Sequence, residues 1–116
     1  MRSMHEVSLI ESVVALVEDA RIVNHFSRVL MIRLDVGALG HVEPEALRFC
    51  FDAVARGTIA EGARLEIAII PGVGSCAACG ESVPLDAHFA ACPLCGNSDV
   101  RMTAGAEMRL AELEVE

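Results

Sequence analysis

The sequence predicts an α+β protein: a small three-stranded sheet with two helices, into which a second module is inserted around a metal ion. Three observations carry this. Two stretches place apolar residues at steps of three and four, three stretches alternate apolar with polar residues, and four cysteines form two C-x-x-C-G segments where large apolar residues are scarce.

Ser8 and Glu11 match the capping-box pattern, in which a hydroxyl and a carboxylate satisfy exposed N–H groups, so the first helix is expected to begin there. Leu9, Val13, Leu16, Ala20 and Val23 give its apolar stripe over about four turns, widened by Ile10, Val14 and Val17. From Val29 to Val36 the pattern becomes that of a strand, with Leu30, Ile32, Leu34 and Val36 on one face and Arg33 and Asp35 on the other. Gly37 and Gly40 end it. Pro44 suits the first turn of a second helix carrying Leu47, Cys50, Phe51 and Val54 inward, and Gly57 closes that helix. A second strand is expected from Ala63 to Ile70, followed by a boundary at Pro71-Gly72-Val73-Gly74. The alternation from Glu107 to Glu116 reads as a third strand, with a bulge near Ala111, returning to the first module's sheet. The expected division is therefore residues 1–71 with 105–116 as one domain and 72–104 as the other.

Composition excludes several functions. The longest apolar run is Val13 to Val17, far short of the ~20 residues that span a membrane. No secretory signal precedes the first helix, so a cytoplasmic location is expected. The formal charge is -8, from seventeen Asp and Glu against nine Arg and no Lys. Phosphate backbones would repel such a chain, and without Trp or Tyr it offers no stacking platform; nucleic acid is set aside as a partner. Five cysteines are an odd number for a disulfide framework. No nucleophile with a base and no open metal position is visible for an enzyme, and His25 and His41 lack an evident catalytic partner.

The cysteines account for the inserted module. Cys76-Ala77-Ala78-Cys79-Gly80 and Cys92-Pro93-Leu94-Cys95-Gly96 are two knuckles, with twelve residues between Cys79 and Cys92. Each turns tightly enough to aim two sulfurs at one point, and four thiolates close a tetrahedral shell that leaves no place for a substrate water. The expected occupant is a structural zinc in a zinc-ribbon domain, with a rubredoxin-like iron as the competitor. His88, between the knuckles, would be a fifth ligand in a shell already full. Cys50 reads as a small apolar core thiol.

Met4-His5-Glu6 is expected just before the first helix. An imidazole with adjacent deprotonated backbone amides, and a terminal amine where one exists, makes the planar nitrogen set that Ni(II) or Cu(II) prefers; the Glu6 carboxylate adds a ligand or holds one in place. These residues belong to a wider pattern. Met-His-Glu leading into a helix, Val42-Glu43-Pro44-Glu45 with Leu47-Arg48-Phe49-Cys50-Phe51, Gly57-Thr58-Ile59-Ala60-Glu61-Gly62-Ala63, the two knuckles and the closing Glu107-to-Glu116 stretch resemble the HypA family of nickel metallochaperones for hydrogenase maturation. The resemblance runs over essentially the whole chain from Met4.

It implies a nickel-binding α/β domain with a zinc-ribbon domain inserted before its last strand. It implies His5 as the nickel ligand, with Met4 and assisting Glu6, and Glu43 near the end of the first strand as an outer candidate. Nickel is then transient cargo, handed to the [NiFe] hydrogenase large-subunit precursor together with a maturation GTPase, and in some members to urease. A second copy of the chain stays open as a partner. Met1-Arg2-Ser3 precedes the family pattern here; while it is attached, Met4 offers an amide in place of an amine. The competing function is a zinc-ribbon adaptor that binds other proteins without a second metal.

Overall fold

The computed structural model describes residues 2–87 and 90–116, with side chains from His5 onward. The elements run α1 (Arg2–Asn24), β1 (Val29–Gly37), α2 (Pro44–Ala55), β2 (Arg64–Ile70), β3 (Gly72–Cys76), β4 (Ser82–Leu85), β5 (Val100–Ala104) and β6 (Met108–Val115). They form two three-stranded sheets, ordered β2-β1-β6 and β4-β3-β5. No helix among the described residues is long and apolar enough to cross a membrane.

The first helix departs from expectation at its start. It begins at Arg2, so Ser8 is not its cap; the Ser8 carbonyl instead accepts the Ser12 hydroxyl at 3.1 Å. Nothing between Arg2 and Ser8 is a glycine or proline, and no break forces the chain out of helical geometry there. Met4, His5 and Glu6 therefore lie inside the helix. The buried stripe is also rotated: Ile10, Val13, Val14 and Val17 are covered, whereas Leu16 and Val23 are 54% and 75% exposed. The covered face packs on α2, whose Leu47, Phe51 and Ala55 are buried.

The other end of α1 is closed by His25, whose N–H donates to the Arg21 carbonyl at 2.8 Å while its φ is 56°. A left-handed residue bonded back in this way is the usual helix stop, normally glycine. His25→Gly is therefore expected to stabilise the zinc-loaded protein by about 0.5–1 kcal/mol, the left-handed penalty relieved less the added freedom of the unfolded chain. The urea midpoint checks this; a lower midpoint would mean that the imidazole contributes more than its backbone costs.

β1 lies between β2 and β6, and it is covered more fully than simple alternation suggests: Val29 and Met31 are buried as well as Ile32, Leu34 and Val36. β6 returns to this sheet. It runs back along β1, with Ser27 N–H donating to the Glu116 carbonyl at 2.9 Å and Gly37 N–H to the Glu107 carbonyl at 2.8 Å. The turn after α2 is tied to α1 by Glu18, which accepts the Ile59 N–H at 2.9 Å and pairs with Arg21 at 3.2 Å.

Two compact units emerge, Met1–Leu34 with Val42–Ala68 and Arg109–Glu116, and Asp35–His41 with Ile69–Met108. β3 starts inside the Pro71 to Gly74 segment, at Gly72. β3 pairs antiparallel with β4 (Gly74 opposite Val83) and with β5 (Cys76 opposite Val100). Within the second unit, Gly37, Gly72 and Gly105 let three backbone segments meet. A Cβ on Gly37 would run into the Gly105 carbonyl oxygen and lie 2.7 Å from Ala106 N, where only backbone could give way. Gly37→Ala is expected to cost about 3 kcal/mol, the upper range for overpacking. Lost hydrogen-exchange protection at Leu39, whose N–H donates to the Gly105 carbonyl at 2.8 Å, would report it.

Candidate metal centre

The two knuckles have the same local construction. Cys76 N–H donates to the Glu81 carbonyl and Gly80 N–H to the Cys76 carbonyl; in the second knuckle Cys92 N–H donates to the Asn97 carbonyl and Gly96 N–H to the Cys92 carbonyl. Both glycines stand in the left-handed region, at φ 76° and 79°. Side chains there would be strained, which explains the C-x-x-C-G pattern. The knuckles are held together through β3 and β5, and Ala77 N–H donates to the Asp99 carbonyl at 3.0 Å.

This brings the four sulfurs within 4.8 Å of one another. Cys76 and Cys95 sulfurs are 3.5 Å apart, Cys79 and Cys92 sulfurs 3.9 Å. A zinc tetrahedron with Zn–S of about 2.3 Å requires sulfurs about 3.8 Å apart. The residues fit the ion. Cys76 and Cys92 are buried, and with Val83 and Val100 they form an apolar cluster at the knuckles, whereas Cys79 and Cys95 are exposed. His88 lies outside the described residues.

The thiols are electrostatically uneven. Backbone N–H groups, first that of Cys79, push Cys76 down to about 7. At Cys95 the Asn97 backbone N–H opposes the rise, but the Cys76 sulfur and burial prevail and push it up to about 11. Cys79 is also raised, against the Glu81 backbone N–H, by burial and by the sulfurs of Cys76 and Cys92. Four sulfurs this close cannot all carry charge by themselves. A divalent cation resolves that conflict, since each thiolate then faces the metal.

Sequence reasoning missed Asn97 and Asp99. The Asn97 side-chain oxygen accepts the Asp99 N–H at 2.8 Å, an Asx turn that leads the second knuckle into β5. The Asn-Ser-Asp segment directly after the knuckle glycine was its signal.

The N-terminal candidates are arranged differently from expectation. His5 is exposed on α1. Met4 belongs to the same helix, and its side chain lies outside the description. Glu6 is fully buried, with 0% exposure. One of its carboxylate oxygens accepts the Glu43 N–H at 3.1 Å, and the other has no hydrogen-bond partner. Glu43 is not near the end of β1: the strand stops at Gly37, and Glu43 is the extended residue capping α2, where Pro44 starts the helix. Cys50 lies close by. Burial pushes its thiol up and the Glu6 charge adds to this, opposed by a backbone hydrogen bond, so it is a poorly reactive thiol.

Among the described residues the four cysteines are the one group of three or more His, Cys, Asp or Glu side chains close enough to hold a metal. His5, Glu6 and Glu43 do not make another. A metal at His5 would draw on backbone nitrogens, and in a helix starting at Arg2 the Glu6 N–H is directed at the Arg2 carbonyl. The first turn must open for that nitrogen to reach a metal.

Comparison with known proteins agrees along the chain. The family described as "HypA: Hydrogenase/urease nickel incorporation, metallochaperone, hypA" matches residues 4–115. A hydrogenase maturation factor HypA of Methylocella silvestris is 71% identical over 113 residues, covering 97% of this chain and all of the relative. One from Albidiferax ferrireducens is 52% identical over the same span. The solution structure of the Ni metallochaperone HypA from Helicobacter pylori superposes with a TM-score of 0.72 at 23% identity, covering 95% of this chain and 96% of the other. At that identity the likeness shows the fold.

Proposed function

The chain belongs to the HypA family, and from that premise we propose that it is a nickel metallochaperone of hydrogenase maturation whose four cysteines hold a structural zinc. The observation that carries this is the match of nearly the whole chain, residues 4–115, to a family described by nickel incorporation. The cysteine geometry supplies the second part: sulfurs within 4.8 Å of one another suit a closed zinc shell.

The finer reading follows from the same premise. His5 is the nickel ligand, with Met4 beside it, Glu6 assisting and Glu43 as an outer candidate. Residues 72–104 form the zinc-ribbon domain, and residues 1–71 with 105–116 the nickel-binding domain. A chaperone of this kind is not an enzyme: it holds nickel transiently and passes it on. The partners are a maturation GTPase and the [NiFe] hydrogenase large-subunit precursor in the cytoplasm, with self-association as a further contact. The exposure of His5 supports the reading, because an ion that must be released needs a ligand near water. Calorimetric titration of the zinc-loaded chain with Ni(II) tests it. One nickel per chain is expected, and a protein that takes up none would leave the zinc-ribbon adaptor in its place.

A further inference from the structure

We propose that the Glu6 carboxylate positions the site and is not itself a nickel ligand: buried, it anchors the early turns of α1 to the N-terminus of α2 and stays there while His5 takes the metal. The proposal rests on the nickel reading above and says what the assistance of Glu6 consists of.

Direction along the helix comes first. Glu6 continues the buried stripe of Ile10, Val13, Val14 and Val17 at steps of four, three, one and three, so it faces α2 as they do. His5 is one residue earlier, about 100° around the axis, and is exposed. The two side chains therefore leave the helix on different faces.

The second observation is what Glu6 meets. The N-terminus of α2 lacks a cap of its own: Glu43 makes no side-chain capping bond, and Pro44 has no N–H to give. The Glu6 oxygen accepts the Glu43 N–H at 3.1 Å across 37 residues of sequence. A carboxylate at this end also complements the partial positive charge of the helix. To bind nickel beside His5, Glu6 would have to leave a fully buried position and strand that N–H. Held in place, it instead marks where α1 remains helical once the residues before it open for the metal.

The test compares wild type, Glu6→Gln and Glu6→Ala as full zinc-loaded chains, by nickel calorimetry, nickel X-ray absorption and hydrogen exchange at the Glu43 amide. Gln keeps an oxygen for the Glu43 N–H but is a poor metal ligand. Glu6→Gln is expected to retain wild-type nickel affinity, an unchanged nickel coordination shell and Glu43 protection. Glu6→Ala is expected to lose Glu43 protection and to weaken nickel binding by about tenfold or more, as loss of a supporting partner does at metal sites. A Glu6→Gln protein with Glu43 still protected but nickel affinity lost and an oxygen missing from the shell would make Glu6 a ligand and overturn the proposal. So would undiminished Glu43 protection, or wild-type nickel affinity, in Glu6→Ala. Wild type that binds no nickel overturns the chaperone reading itself and with it the nickel half of the proposal, while Glu43 protection still decides the anchor.

Discussion

Cys76→Ser or Cys95→Ser is expected to lower zinc from one per chain to none and to unfold the small unit around the knuckles, leaving the helices and the β2-β1-β6 sheet largely folded. The reason is the makeup of the small unit's interior. Around the knuckles the buried cluster is Cys76, Val83 and Cys92 with Val100 packed on it, so two of these four residues are themselves cysteines of the metal site. So little apolar surface cannot replace a structural zinc, which supplies on the order of 10 kcal/mol or more in small zinc peptides. Cys76 is expected to be the more severe site because it is buried and ends β3, whereas Cys95 is exposed. Acidification should act in the same direction: every thiolate must be deprotonated to bind, so protons compete with the metal as pH falls. Elemental analysis with amide exchange at Gly80 and Gly96 measures both effects. A small unit that stays protected with neither zinc nor iron bound would refute the zinc role.

His5→Ala is expected to remove nickel binding while zinc content stays at wild type. Loss of a supporting partner alone typically costs 10–100-fold at a metal site, so losing the anchoring imidazole should cost about a hundredfold or more. The helix start adds a second expectation. Because α1 is helical from Arg2, nickel coordinated through backbone nitrogens near His5 must compete with the first turn, and binding should reduce helical circular dichroism by about one turn. A chain starting at Met4 has less helix to open and offers an amine in place of an amide, so it should bind nickel more tightly than the 116-residue form. Calorimetry on the chain from Met4, the full chain and His5→Ala compares them. Equal affinity with and without the imidazole would rule out His5 as the ligand and favour the adaptor.

Much of this protein was determined by its sequence alone. The knuckle spacing and its glycines require a particular local backbone, so Gly80 and Gly96 could be assigned before the sulfurs were placed. Pro44, Gly57 and the alternation of β1 and β2 likewise act over a few residues, and those elements stand within a residue or two of expectation. What failed was whatever depended on distant partners. The capping box at Ser8 is a sound local signal, but a cap operates only where the helix begins, and nothing upstream stops α1 before Arg2. Leu16 and Val23 fit a helical period as well as Ile10 and Val17; which stripe is buried was decided by where α2 packs. β3 to β5 are short, glycine- and cysteine-bearing strands with too few apolar residues to alternate visibly, and only their mutual pairing makes them a sheet. Glu6 shows how far local pattern reaches: beside a histidine it reads from sequence as a carboxylate that adds a ligand or holds one in place, and only the fold shows that one of its oxygens accepts the N–H of Glu43, because the direction of a side chain depends on which helix face finds a neighbour.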